Sequence, residues 1–279
     1  MIVISKHSNQ LCNRLFTYLP VLSYALEAKE PVCFLFQYKG YDSFFPNLRK
    51  SGIASYLPDE TLRPSMSSKF LNAFVRSMDK LVHLVLKSGE RIPLHKPLGV
   101  LFNPKWKEIR YDSAYIAKHA EELRRLFTPG NAVWQAIAEM MPSVSEEVVT
   151  VGVHMRGGDY RTYLGGKYFY EPPVYRKYME QVKTLLEAQG KQVRFLLCTN
   201  ERVASSDFPG LELLRQQGTD LLVDLYGLSR CDYIIGPPST FSQWASFYGG
   251  VPLRFLMASD ESVSLSDFKK VVALDTFEP

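Results

Sequence analysis

Four cysteines in 279 residues, Cys12, Cys33, Cys198 and Cys231, form no CxxC pair and no Cys/His metal spacing. That scatter argues against a disulfide framework and a zinc module, and it predicts free thiols in a reducing compartment. No apolar run reaches the roughly 18 residues of a transmembrane helix. The opening Met1-Ile2-Val3-Ile4-Ser5-Lys6-His7 is too short for a signal peptide and lacks its charged lead-in, so it reads as a first strand. Repeats, low-complexity stretches and long Lys/Arg blocks are absent. The net charge of +4 is a mild bias that suits a phosphate-bearing ligand and falls short of a nucleic-acid signature. No DxD carboxylate pair is present to hold a divalent cation between phosphates. What remains is an ordinary globular composition, 46% hydrophobic and 22% charged, at a length that suggests two domains.

The order of patterns predicts an α/β chain. The polar segment Ser8 to Asn13 is expected as a loop after the first strand. A helix is expected over Arg14 to Lys29, where Leu15, Leu19, Leu22 and Leu26 recur at helical spacing, and then a strand from Val32. Lys39 to Pro64 reads as an irregular excursion. Ser67 to Lys87 reads as a basic amphipathic helix with a cationic face from Lys69 to Lys87, whose apolar face can pack on its own domain while the cations stay solvated, or which can lie on anionic lipid. A helix from Ser113 to Phe127 ends at Thr128-Pro129-Gly130, which places a domain boundary there: residues 1–128 form an N-terminal α/β domain and 129–279 a C-terminal one. In the second half, strands at Val148 and Val193 and a short one at Tyr233 alternate with helices from Pro173 to Gln189, Asp224 to Cys231 and Ser239 to Tyr248. The expectation is two Rossmann-like, doubly wound domains facing across a cleft.

Val148 to Tyr160 carries the clearest chemistry. A β-branched run ends in His154, Arg156 and the pair Gly157-Gly158, and in open α/β sheets ligands bind beyond the carboxyl ends of strands. Arg156 can fork onto phosphate oxygens, and His154 shares its strand face. A second anion-binding feature is Gly236 to Gln243, where Ser239, Thr240, Phe241 and Ser242 open a helix. Thr240 with Gln243 also matches a capping box, so ordinary capping and phosphate binding both fit. Asp224 and Asp232 are expected to flank the preceding helix. Asp232 suits capping or solvation, and Asp224 is equally suited to accept hydrogen bonds from a base or ribose.

The Val151 to Tyr160 segment resembles the HxRRGDY motif of the α-1,2-fucosyltransferases and of the wider group with α-1,6- and protein O-fucosyltransferases. Gln10 to Phe16 resembles that family's N-terminal GLGNQxF loop, and Asp224 to Trp244 its C-terminal nucleotide-binding motif. The resemblance implies a GT-B fold and inverting transfer from GDP-fucose. It assigns Arg156 to the diphosphate, His154 and Asp224 to the guanosine, Ser239, Thr240 and Ser242 to the phosphates, and Asn13 to an approach from the N-terminal domain. Arg156 and Asn13 are the catalytic candidates. Two departures stand out: Gly157 replaces the usual second Arg, and Cys12 and Arg14 replace Gly and Gln in the first loop. Arg14 is a candidate substitute for the missing cation, and Gly157, Asp159 and Gln243 are further candidate contacts. For a general base, Asp159, Glu171 and His7 are the options.

These features lead to an expected metal-independent, cofactor-free glycosyltransferase with a nucleotide-sugar donor and a glycan acceptor, one candidate being lipid-linked. The lack of an export signal or anchor suits a bacterial cytoplasmic enzyme of surface-polysaccharide synthesis, peripheral to the inner membrane through Lys69 to Lys87. The alternatives are a transferase using another nucleotide sugar, or a non-catalytic phosphate- or glycan-binding protein with Tyr160, Tyr163, Tyr168 and Tyr170 as stacking platforms. Nucleic acid is not an expected partner.

Overall fold

The computed structural model describes residues 2–4, 10–29, 31–35, 44–57, 77, 91–93, 100–102 and 113–272. The chain forms two compact units, the first ending at Gly130 and the second beginning at Asn131.

In the first unit, β1 (Ile2–Ile4), α1 (Leu11–Ala28), β2 (Val32–Leu35), α2 (Pro46–Lys50) and β3 (Ala54–Leu57) are followed by β4 (Arg91–Pro93) and β5 (Val100–Phe102). The helices α3 (Ser113–Lys118) and α4 (Ala120–Leu126) close the unit. The sheet order is β3-β2-β1-β5-β4. All pairings are parallel except β4 with β5, so this sheet departs from the expected parallel winding at one edge. Pro93 fits that edge, because proline lacks the amide an interior strand would use.

The helix expected from Arg14 starts three residues earlier. Leu11, Leu15, Leu19 and Leu22 are all buried, and their spacing extends the helical period back to Leu11. Gln10, in an extended conformation, marks the start, and its carbonyl accepts from the Arg14 amide at 3.0 Å. The single helix expected over Ser113 to Phe127 is two, separated at His119, whose backbone (φ −104, ψ 14) interrupts the helical run. Lys118 and His119 both pair with Glu27 on α1 at 2.7 Å. The helix expected over Ser67 to Lys87 lies outside the described residues apart from Ser77, which is helical and exposed.

The second unit begins with α5 (Asn131–Met140). It continues through β6 (Val148–Met155), α6 (Pro172–Glu187), β7 (Gln192–Thr199), β8 (Leu213–Leu214), α7 (Leu221–Leu228), β9 (Tyr233–Gly236), α8 (Thr240–Gly249) and β10 (Leu253–Phe255). Its sheet is parallel throughout, in the order β10-β9-β6-β7-β8. Strand β6 is central and buried on both faces, so Thr150, Gly152 and His154 are buried although they alternate with Val149, Val151, Val153 and Met155. Val149, Val151, Val153 and Met155 point to one face, where Tyr175, Tyr178, Met179, Val182 and Leu186 of α6 cover them. Each large side chain fully buried there contributes roughly 1.5–3 kcal/mol of transfer free energy. The alternate residues, His154 among them, face α7 and α8 on the other side.

Helix α7 also starts earlier than expected. The Asp220 carboxylate caps it, accepting from the Leu222 amide at 2.7 Å, so Asp224 lies inside the helix rather than flanking it. Asp232 follows the helix and clamps the start of β6: its carboxylate accepts from the Thr150 amide at 2.7 Å, and its own amide donates to the Thr150 carbonyl at 2.8 Å.

Candidate functional site

Winding reverses in the second sheet between β6 and β9. From β6 the chain builds outward through β7 and β8, and it later returns to the other side of β6 as β9 and β10. The ends of β6 and β9 therefore border a topological switch point, the place where open α/β sheets bind ligands. His154 lies near the end of the first strand and Arg156 directly follows it, and Pro237 to Ser239 lead from the second into α8.

Several contacts join the two sides. The His154 ring, only 4% exposed, lies 2.8 Å from the Ser242 hydroxyl through Nδ1 and packs against Phe241 at 4.8 Å between ring centres. Burial, assisted by the neighbouring Arg156 charge, pulls its pKa down to about 3, so the imidazole is neutral at physiological pH. Tyr160 donates from its hydroxyl to the Pro238 carbonyl at 2.6 Å, and its ring lies 5.5 Å from the Arg156 guanidinium carbon. Arg156 Nη2 pairs with Asp159 at 2.8 Å, whereas its Nε is buried without a hydrogen-bond partner. A buried cationic donor with no acceptor is costly unless an anion meets it.

The turn after β6 is held from β7. Asn200 Oδ1 accepts from the Gly157 amide at 2.9 Å, and Glu201 Oε1 accepts from the Gly158 amide at 2.8 Å. Gly158 adopts a left-handed backbone at φ +56, which favours glycine. At Gly157 the requirement is space: a Cβ there would collide with the Glu201 side chain. The position that holds a second arginine in the family it resembles is thus met by the Glu201 carboxylate from the loop after β7. Arg161 balances it, with Nη2 3.4 Å from Glu201.

Capping at α8 is displaced from the expected pair. Ser239, not Thr240, is the cap residue, and its hydroxyl accepts from the Phe241 amide at 3.2 Å. Thr240 begins the helix. Gln243 lies one position beyond the capping-box site, is buried, and donates its amide to the Ser239 carbonyl at 3.1 Å. Ser242 is fully buried against His154, so its hydroxyl orients the imidazole instead of facing a phosphate.

Asp224 is partly buried on α7, and Gln216 donates to it at 2.5 Å. Burial raises its pKa to about 6, although the Gln216 bond pulls the other way. Asn13 and Arg14 occupy the first turn of α1 in the other unit, and Arg14 is 2% exposed. Of the base candidates, Asp159 is tied to Arg156, and Glu171 precedes α6 at 3.9 Å from Arg161. His7 lies outside the described residues.

Asn200 and Glu201, which hold the turn after β6, lie at a polar strand end whose sequence carries no sign of their partners. Asp220 does carry a signal, since a Thr-Asp pair before an apolar run marks a helix start. The role of Tyr175, whose hydroxyl accepts from the Arg156 amide at 3.3 Å, carries no local signal. Among the described residues no three His, Cys, Asp or Glu side chains gather as a metal site, and no helix is long and apolar enough to cross a membrane.

An α/β fold with polar groups gathered at a strand-order reversal defines a broad class of binding proteins and enzymes. Within it, the fold is that of solved fucosyltransferases. Arabidopsis thaliana FUT1, a variant in complex with GDP, matches at TM-score 0.57 and 14% identity, over 96% of this chain and 72% of that one. The NodZ α-1,6-fucosyltransferase of Bradyrhizobium, co-crystallised with GDP, matches at 0.53 and 16%, over 90% and 93%. POFUT1 in complex with GDP-fucose matches at 0.51 and 12%, over 92% and 97%. No family model and no curated protein sequence matches the chain.

Proposed function

We propose that the protein is an inverting, metal-independent glycosyltransferase of GT-B architecture that moves fucose from GDP-fucose to a glycan hydroxyl during surface-polysaccharide synthesis. The observation that carries this reading is the buried, unpartnered Nε of Arg156 at the sheet's switch point, with the start of α8 joined to the same loop through Tyr160. Support comes from the shared fold and from GDP or GDP-fucose in the neighbours FUT1, NodZ and POFUT1.

In the reaction the acceptor oxygen bonds to the anomeric carbon as the bond from that carbon to the diphosphate oxygen breaks. The acceptor proton passes to a base, and GDP leaves with the electron pair. Negative charge grows on the departing diphosphate, and donors fixed in advance at that place lower the barrier. Arg156 and the first turn of α8 have this role. Asp224 takes the guanosine in company with His154. Asn13, in the first unit, enters through the family resemblance alone. A cytoplasmic enzyme peripheral to the inner membrane, with a lipid-linked acceptor, belongs to the same reading.

One observation favours a second donor. Glu201 fills the space beside Gly157, so the site carries a carboxylate where a second guanidinium was expected, and that exchange suits a different nucleotide sugar. The deciding experiment pairs thermal unfolding in GDP with a donor screen that detects transferred sugar. GDP should raise Tm, and GDP-fucose should yield product while other nucleotide sugars do not. Transfer from another donor selects the second reading, and indifference to GDP together with no product from any donor sinks both.

A further inference from the structure

Among the described residues only five large hydrophobic side chains are exposed, and two of them, Tyr163 (52%) and Leu164 (62%), are consecutive. Scattered surface hydrophobics need no explanation, but an adjacent pair on a loop leaving a candidate active site does. The loop is built of two 3-10 turns, Gly158–Arg161 and Tyr163–Gly166. Tyr160 anchors the first turn, with its hydroxyl on Pro238. The Tyr163 ring lies 5.4 Å from the Tyr160 ring at a tilt of 34°, and Tyr160 in turn lies beside the Arg156 guanidinium. A continuous line therefore runs from the cation at the end of β6, through a half-buried aromatic ring, to an exposed one.

Leu164 adds a second, independent observation. Its backbone is left-handed (φ 50, ψ 39), a conformation in which a side chain is strained, and the glycines beside it at 165 and 166 also have positive φ. A third glycine would relieve the turn at position 164. The chain instead has a large apolar side chain there, pointed to solvent and contributing nothing to the core. Residues held in such conformations cluster at ligand-binding sites, where the ligand contact offsets the strain.

We propose that Tyr163 and Leu164 form the acceptor platform: a sugar ring of the acceptor glycan stacks its C–H face on Tyr163 and is bordered by Leu164. The proposal rests on the transferase reading and adds to it the acceptor's binding surface. An aromatic ring with one face free suits the apolar face of a pyranose, whose hydroxyls lie around its rim. The line of contacts through Tyr160 places this surface one aromatic ring away from the guanidinium assigned to the donor.

The test uses the full chain on a printed oligosaccharide array in saturating GDP, with GDP-dependent Tm measured in parallel. Wild type should retain at least one class of glycan. Tyr163→Ala should weaken that capture about tenfold, while Tyr163→Phe, which keeps the ring face, should stay within about twofold. Leu164→Gly should unfold at the same or a higher temperature and still lose capture, which separates binding from stability. All three variants should keep the wild-type Tm shift in GDP. Equal capture by Tyr163→Ala, or no glycan retained by wild type that does respond to GDP, overturns the platform. No response of wild type to GDP brings down the donor reading first and the platform with it.

Discussion

Glu201 and Gly157 share one space: the carboxylate at the end of β7 lies where a side chain at 157 would have to begin, and it also caps the amide of Gly158. Glycine at one position and glutamate at the other are therefore coupled. Gly157→Arg alone should overpack the turn at a cost of about 1–3 kcal/mol, read as a fall of roughly 2–4 °C in Tm per kcal/mol. Gly157→Arg with Glu201→Gly should recover most of that loss and tighten GDP binding through the added cation. A double variant as unstable as the single one would show that the collision is not the cause.

Arg156 should be the costliest single loss. Removing one preorganised donor of this kind typically slows turnover by about 10²–10³-fold. Arg156→Ala should show that loss together with weaker GDP binding. Arg156→Lys should retain part of the binding, because an ammonium keeps the charge without the planar fork. Wild-type turnover in the alanine variant would remove Arg156 from the mechanism.

The strand that carries this arginine was legible because its neighbours in sequence are also its neighbours in chemistry. An apolar run ending in His-x-Arg-Gly-Gly describes a buried strand opening into a site, whatever the rest of the chain does. The clamp on that site was not legible. Asn200 and Glu201 act on Gly157 and Gly158 only because β7 lies in parallel register with β6, Met155 opposite Thr199, and pairing across more than forty residues leaves no local trace. Errors at helix starts had a different origin. Asn13 and Asp224 were read as loop or flanking residues because polar side chains suit caps, but the caps are Gln10 and Asp220, three and four residues earlier. The buried apolar positions continue back to Leu11 and Leu222, and in both helices they outweigh the polar interruption.

His154 should make the second unit sensitive to acid. Its folded pKa, about 3, lies below the usual 6.5, so between these values the unfolded chain binds more protons. Stability should fall as pH drops below about 6.5 and continue to fall toward 3. His154→Gln, which cannot take up the proton, should flatten this part of the Tm–pH curve. An unchanged slope in the variant would assign the acid sensitivity elsewhere.

Asp224 should act in the opposite direction. Its folded pKa, about 6, lies above the usual 3.8, so the folded state holds the proton more tightly and stability declines as pH rises from about 4 to 6. Asp224→Asn should remove that decline. If the carboxylate accepts hydrogen bonds from the donor's base, GDP affinity in wild type should rise as pH passes upward through about 6, and the asparagine variant should lose the rise. Isothermal titration between pH 5 and 8 reads both, and a pH-independent affinity in wild type would take Asp224 out of the base contact.

Tyr160 separates the two roles of its side chain, since the hydroxyl holds the lead-in to α8 and the ring lies beside Arg156. Tyr160→Phe deletes the hydrogen bond to Pro238 at 2.6 Å, a net loss of about 0.5–1.5 kcal/mol, but leaves the ring for the guanidinium. Tyr160→Ala deletes both, adding the cation–π contribution of about 0.5–1 kcal/mol. GDP affinity should therefore fall in two steps, several-fold in the phenylalanine variant and further in the alanine variant, as the loop and the helix start lose their common tie. Titration of all three proteins with GDP checks the order. Equal affinities would mean that the loop keeps its place without Tyr160 and that Arg156 is positioned from β6 and Asp159 alone.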